Sequence, residues 1–262
     1  MESRNDFPDT VDRTLALLWR ARLGAPESRR GPKQRVSVDE VVRAGIAVAD
    51  AEGLAGFTVR KVAERLGIGA MSVYTYVPGK AELIGLMVDQ VIGESELVPH
   101  AGSLRDRLVS VARQIWDEAH RHPWLLQAEK ARPWLGPHGM ARYEWQLAAI
   151  EGVGFTDVEM DRVVTLLTGI AESAARASIG SQAARDESGM TDREWWDVNA
   201  PILDRLVRAE DYPIASRVGQ AAGQEYDSIS DPERTFVFTL DRIVDGLEVL
   251  LKRRERNPDH AA

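Results

Sequence analysis

The sequence predicts an all-α protein: a small N-terminal bundle of three helices followed by a larger C-terminal helical body. Three observations predict it. Apolar residues recur at helical spacing along nearly the whole chain, as in Leu104, Leu108, Val111 and Ile115. No stretch alternates convincingly at a period of two, and no internal repeat is found. Serine, threonine or aspartate precedes many of the periodic runs, and glycine ends several of them, as helix termini require.

Composition bounds the class. At 262 residues, 44% hydrophobic and 28% charged, the chain is ordinary for a folded globular protein of one large or two smaller domains. No apolar run approaches the ~20 residues that span a bilayer. The opening "MESRNDFPDT" is too polar for a signal peptide, so a cytoplasmic protein without membrane contact is expected. There is no cysteine, which excludes disulfides, thiol nucleophiles and thiolate metal sites. The net charge is −8, unevenly spread: between Arg29 and Lys80 nine basic residues face five acidic ones, leaving −12 on the remainder. A basic segment on an acidic body suits a local contact with a polyanion.

The elements follow in order. "TVDRTLALLWRARLG" places Val11, Leu15, Leu18 and Trp19 on one helical face. "APESRRGPKQR" breaks helix at Pro26, Gly31 and Pro32 and is a solvated linker or an extended arm. Ser37 caps the next helix, with Glu40 completing a capping box and Gly53 as its stop. Thr58 caps another, with Val59, Val62, Ala63 and Leu66 inward and Gly67 at its end. A short helix covers 70–76, and after "VPGK" a longer one covers "AELIGLMVDQVIGE". Beyond Ser103 the expected helices are "LRDRLVSVARQIWDEAH", a short "HPWLLQA", "GPHGMARYEWQLAAIEGVG", a long one from the Thr156 cap to Gly180, "TDREWWDVNAPILDRLVRAED" with a break before Pro201, and a last one from Pro232 capped by Asp231.

The segment "TVRKVAERLGIGAMSVYTYVPGK" carries the chemistry. A helix-turn-helix needs a small residue where its two helices approach, a turn that accepts positive φ, and an apolar pin in the second helix. Ala63, Gly67 and Val73 meet these needs. The other face must stay polar and uncluttered to reach base edges. Gly69, Ala70, Ser72 and Thr75 are small or hydroxylic, Tyr74 and Tyr76 offer hydroxyls to phosphates, and Lys80 offers a point charge.

Residues 37–94 resemble the DNA-binding domain of the TetR family of dimeric transcriptional regulators, through "AEGLAGFTVRKVAERLG" and "MSVYTYVPGKAELI". The closing "FVFTLDRIVDGLEVLL" is similar to the last helix of the tetracycline-repressor-like branch. The resemblance implies an N-terminal extension and arm (1–36), a DNA-binding domain (37–94) and a ligand-binding and dimerisation domain (95–262). It implies DNA contacts by Thr58, Arg60, Gly69, Ala70, Met71, Ser72, Tyr74, Thr75, Tyr76 and Lys80, with Arg60 the base-reading candidate. Ala70 and Met71 cannot donate, so they read apolar surface such as thymine methyls. Arg30 and Lys33 place the arm in a minor groove if it is ordered, and in solvent if it is a linker. The implied partners are double-stranded operator DNA, a second copy of the chain and a small-molecule effector. The implied action is repression, with activation or ligand-independent binding as alternatives.

Six of seven tryptophans lie beyond residue 100, and indoles suit a pocket for a flat apolar ligand. The pocket candidates are Trp116, His120, Trp134, Tyr143, Glu172, Arg176 and Trp195. The tryptophans have a plainer reading as core, and Glu172 and Arg176, four apart on one helix, as a surface pair. Two apolar stripes suit a four-helix dimer seam: Val163, Val164, Leu167, Ile170 and Ala174, and Phe236, Leu240, Ile243, Val244, Leu247 and Leu250. The histidines do not share a helical face as metal ligands do, so no metal, no tetracycline and no cofactor is expected. No phosphate-binding, hydrolase or metalloprotease motif is present, which disfavours an enzyme.

Overall fold

The computed structural model describes residues 9–23, 36–128, 135–226, 228 and 230–256. Helices are the only repetitive structure among them, and the chain divides into two compact units, 1–164 and 165–262.

The first unit opens with α1 (Asp9–Leu18) and α2 (Arg20–Leu23). Then come α3 (Val38–Gly56), α4 (Val59–Leu66), α5 (Ala70–Val73) and α6 (Lys80–Ile92). The Ser37–Glu40 capping box forms in both directions. Gly53, expected as a stop, is a kink instead: it takes φ 65° and ψ 175°, and a last helical turn follows it. Gly67 ends α4 in the left-handed region, donating to the Ala63 and Glu64 carbonyls. A core of Val41, Val42, Phe57, Val62, Val73, Val77, Leu83 and Met87, each 1% exposed or less, joins these helices. The approach of α3 and α6 is close: a Cβ on Gly45 would stand 2.8 Å from Met87 Sδ.

α5 is shorter than the 70–76 expected, because Tyr74–Tyr76 turn away. The Val73 carbonyl accepts from both Tyr76 and Val77. Pro78 then supplies no donor and disfavours helix at Val77.

The first unit continues with α7 (Leu104–Arg121), a 3₁₀ turn (Pro123–Gln127), α8 (Pro137–Ala148) and the start of α9 (Asp157–Ser188). Ser103 and Asp106 form a second capping box.

The second unit holds the rest of α9, then α10 (Asp192–Leu206), α11 (Pro213–Tyr226) and α12 (Pro232–Arg256). α9 continues past Gly180 to Ser188, and Gly189 follows at φ 66°. α10 passes through Pro201 without the expected break. The sequence pattern does not predict α11; its two glycines and lack of any buried residue leave little apolar period to read. Asp231 caps α12 through the Arg234 amide. Leu167, Ala171 and Ala175 on α9 and Phe236, Leu240 and Val244 on α12 are buried.

Candidate nucleic-acid interface

α4 and α5 build the candidate surface. Val59, Val62, Ala63 and Val73 are buried and Leu66 packs against the same core, which leaves the opposite side of the two helices exposed. Gly69, Ala70, Met71, Ser72, Tyr74 and Thr75 are exposed in one strip, beside exposed Thr58 and Arg60. Met71 is 77% exposed, an uncovered apolar side chain suited to a thymine methyl. Thr58 Oγ1 accepts from the Lys61 amide, so this hydroxyl holds the head of α4. Arg60 Nε donates to Glu64 at 2.9 Å across one exposed turn.

Two members of the expected set are placed differently. Tyr76 is only 8% exposed and belongs to the core beneath α5, where the turn after Val73 carries it. Its ring is an anchor of the strip, not part of it. Lys80 Nζ donates to the Phe57 carbonyl at 2.9 Å and lies 5.5 Å from the Phe57 ring centroid, so it also pins α6 to the α3–α4 corner. Arg30 and Lys33 lie outside the described residues.

A polar joint connects α3 and the end of α6 to the corner after α7. Buried His122 faces Asp50 from Nδ1 at 2.7 Å and Glu94 from Nε2 at 3.0 Å. Trp124 Nε1 donates to the same Asp50 oxygen at 2.7 Å, and Gln127 Oε1 accepts from the Leu54 amide. On α6, buried Asp89 accepts from the Gly139 amide at 2.9 Å and so caps the head of α8.

The described members of the expected ligand set are divided between the two units. Trp116 is buried on α7, with the His120 ring 4.4 Å away. Tyr143 on α8 donates to Asp161 at 2.9 Å, a bond that raises its pKa. Glu172 and Arg176 on α9 and Trp195 on α10 belong to the second unit. Trp134 lies outside the described residues. Sequence reasoning passed over another face of α7. Gln114 Nε2 and Oε1, Glu118 Oε1 and Arg107 Nε are buried without hydrogen-bond partners. Glu118 Oε2 accepts from Arg142 at 2.7 Å, while burial pushes the carboxyl above its ordinary value despite the pull of Arg142. The signal was available: residues 107, 114 and 118 share one helical face.

A short exposed helix braced on α4, with its apolar side in a three-helix core, defines a helix-turn-helix DNA-binding protein. The profile described as "Bacterial regulatory proteins, tetR family" matches residues 36–87, and "Tetracyclin repressor-like, C-terminal domain" matches 98–251. The chain is 39% identical over 247 residues to the HTH-type transcriptional repressor DrrR1 of Streptomyces coeruleorubidus, covering 93% of this chain and 88% of that one. It is 21% identical over 235 residues to the class E tetracycline repressor of Escherichia coli, covering 86% and 96%. Among solved structures, Streptomyces coelicolor ActR in complex with actinorhodin superposes with a TM-score of 0.67 at 25% identity, covering 82% of this chain and 96% of ActR. The chain belongs to the TetR family of transcriptional regulators. Among the described residues no helix is long and apolar enough to cross a membrane.

Proposed function

We propose that the protein is a homodimeric repressor that binds a palindromic operator and is released by a small apolar or aromatic effector. The observation that carries the reading is the exposed strip of α5, small and hydroxylic apart from Met71 and Tyr74, held over a fully buried Val73. Two such strips related by a two-fold axis read half-sites whose centres lie a multiple of about 10–10.5 base pairs apart. Residues 37–94 form the DNA-binding domain in this reading, and 95–262 serve sensing and dimerisation.

Dimerisation is supported by apolar residues left exposed on α12: Val237, Phe238, Val249 and Leu250. Phe236, Leu240 and Val244 are already buried within the chain, so they leave the expected seam. Effector binding is supported by the partnerless polar atoms of Gln114 and Glu118 on α7, which retain hydrogen-bonding capacity for a ligand that opens this face. The solved complex of ActR with actinorhodin supports a small-molecule effector for a chain of this fold. The effector must bind the non-DNA geometry better than the DNA-bound one. A DNase I footprint of the DNA upstream of the protein's own gene tests the operator reading. A protected palindrome is expected; protection without sequence preference would overturn the reading.

A further inference from the structure

α1 and α2 precede both segments matched by the family profiles, which begin at residue 36. They are nevertheless built into the first unit. Thr14 and Leu18 are 0% and 3% exposed, and Leu15, Leu17 and Trp19 pack against the core that holds α3 to α6. α1 lies against α6, and Arg20 on α2 pairs with Asp39 in the first turn of α3.

Two further contacts run outward from this helix. Midway along α1, Arg13 Nη2 donates to the Thr75 carbonyl at 2.9 Å. Just past its C-terminal end, Trp19 Nε1 donates to the Leu135 carbonyl at 2.9 Å, just ahead of α8. The two residues are six apart, about 9 Å along a helix.

The Thr75 contact falls where α5 is weakest. A helix of four residues has no autonomous stability, so its shape is imposed from outside. Val73, Tyr76 and Val77 hold its inner side. Internally, Thr75 Oγ1 donates to the Ser72 carbonyl at 2.7 Å. Carbonyls at a helix C-terminus lack intrahelical donors, and Arg13 supplies one to Thr75. Thr75 and Tyr74 sit at the end of the exposed strip, so a shift there re-aims its side chains.

We propose that α1 is a strut for the reading head: Arg13 is a positioning residue that sets the geometry of the 74–76 turn, and Trp19 ties that turn to the head of α8. The inference rests on the operator reading above. In it, a charged donor from outside the common family domain determines operator specificity without touching a base. Movement at the head of α8 reaches α5 through α1 as well as through α6.

The test uses the full-length protein with Arg13→Gln and Trp19→Phe. Amide hydrogen exchange of the DNA-free protein is read first. Arg13→Gln should speed exchange at residues 75–77 and leave α3 protected; unchanged exchange overturns the strut. Duplexes are then selected by wild-type protein from a random pool. Arg13→Gln should bind the selected duplex roughly tenfold more weakly and a scrambled duplex equally well. Equal losses on both, with a lower salt slope, would make Arg13 a phosphate contact and overturn the positioning role. Trp19→Phe keeps the packing and loses the Leu135 bond. It should speed exchange at residues 135–139 and, more weakly, at 75–77; no change at 75–77 overturns the link to α8. If wild type selects no sequence, the operator reading fails, and the exchange data still decide whether the strut exists.

Discussion

His122 Nδ1 lies 2.7 Å from the Asp50 carboxylate, and this pair ties the first helix of the reading head to the corner after α7. Trp124 Nε1 shares the same Asp50 oxygen, while His122 Nε2 faces Glu94 just past α6. Three chain segments therefore converge on one buried imidazole.

Asp50→Ala removes the acceptor from two donors whose rings are buried. An orphaned buried donor costs about 1–3 kcal/mol, moderated here because the Asp50 side chain is 36% exposed and water can enter. The urea midpoint should fall accordingly. Retention of the wild-type midpoint would show the joint to be energetically idle.

A second tie joins α6 to α8. A Cβ on Gly136 would collide with the Asp89 carboxylate, the group that caps Gly139. Gly136→Ala should therefore cost about 1–3 kcal/mol by overpacking. Asp89→Ala removes both the cap and the clash. The double variant should lose clearly less than the sum of the single losses. Additive losses would mean that the two residues do not meet as described.

Much of this framework was legible in the sequence. Ser37 and Glu40, Thr58, Gly67 and Val73 fixed their roles by spacing alone, because caps and turns are local chemistry. The burial of Tyr76 was not legible, because it depends on where α5 stops, three residues earlier than the pattern suggests. Arg13 and Asp89 were passed over for another reason. Their partners, Thr75 and Gly139, lie 62 and 50 residues away, and no local period encodes such a contact. α11 escaped because a helix that buries nothing carries little hydrophobic signature.

On DNA, Arg60 and Lys80 should separate by kind. Arg60→Ala should cost about 1–3 kcal/mol on the operator and relax preference at one base position. Its stability should hardly change, because the Arg60–Glu64 pair is exposed on both sides. Lys80→Met should weaken binding evenly across sequences and lower the salt slope by about one unit per subunit. Titrations against operator and scrambled duplex at several salt concentrations measure both. An even loss for Arg60→Ala, or an unchanged slope for Lys80→Met, would reverse the assignment.

Phe238 is 62% exposed on α12, with the Arg242 guanidinium 5.3 Å from its ring centroid. Phe238→Asp should leave the monomer folded, since the site is already in solvent, and shift sedimentation from dimer toward monomer. Operator binding should fall with it, because two heads on one dimer gain from effective concentration. A variant that sediments as wild type would place the seam elsewhere.

Glu118 gives the stability a pH dependence of definite sign. Burial raises its carboxyl above the ordinary 4.5, against the pull of Arg142. Between 4.5 and that raised value the folded chain holds more protons than the unfolded one. Stability from this group is therefore complete below 4.5 and declines as pH rises through the folded titration. Glu118→Gln retains an acceptor for Arg142 and cannot titrate, so the decline should flatten, whatever constant offset the substitution brings. The helix-capping carboxylates Glu40, Asp106 and Glu194 act in the opposite direction. Hydrogen bonds from Ser37, Ser103 and Thr191 hold them low, so their contribution is lost only as pH falls below the ordinary range. Urea midpoints of wild type and Glu118→Gln, compared from pH 4.5 upward, isolate the Glu118 component. Parallel curves would mean that Glu118 stays charged in the fold, and that Arg142 outweighs the burial.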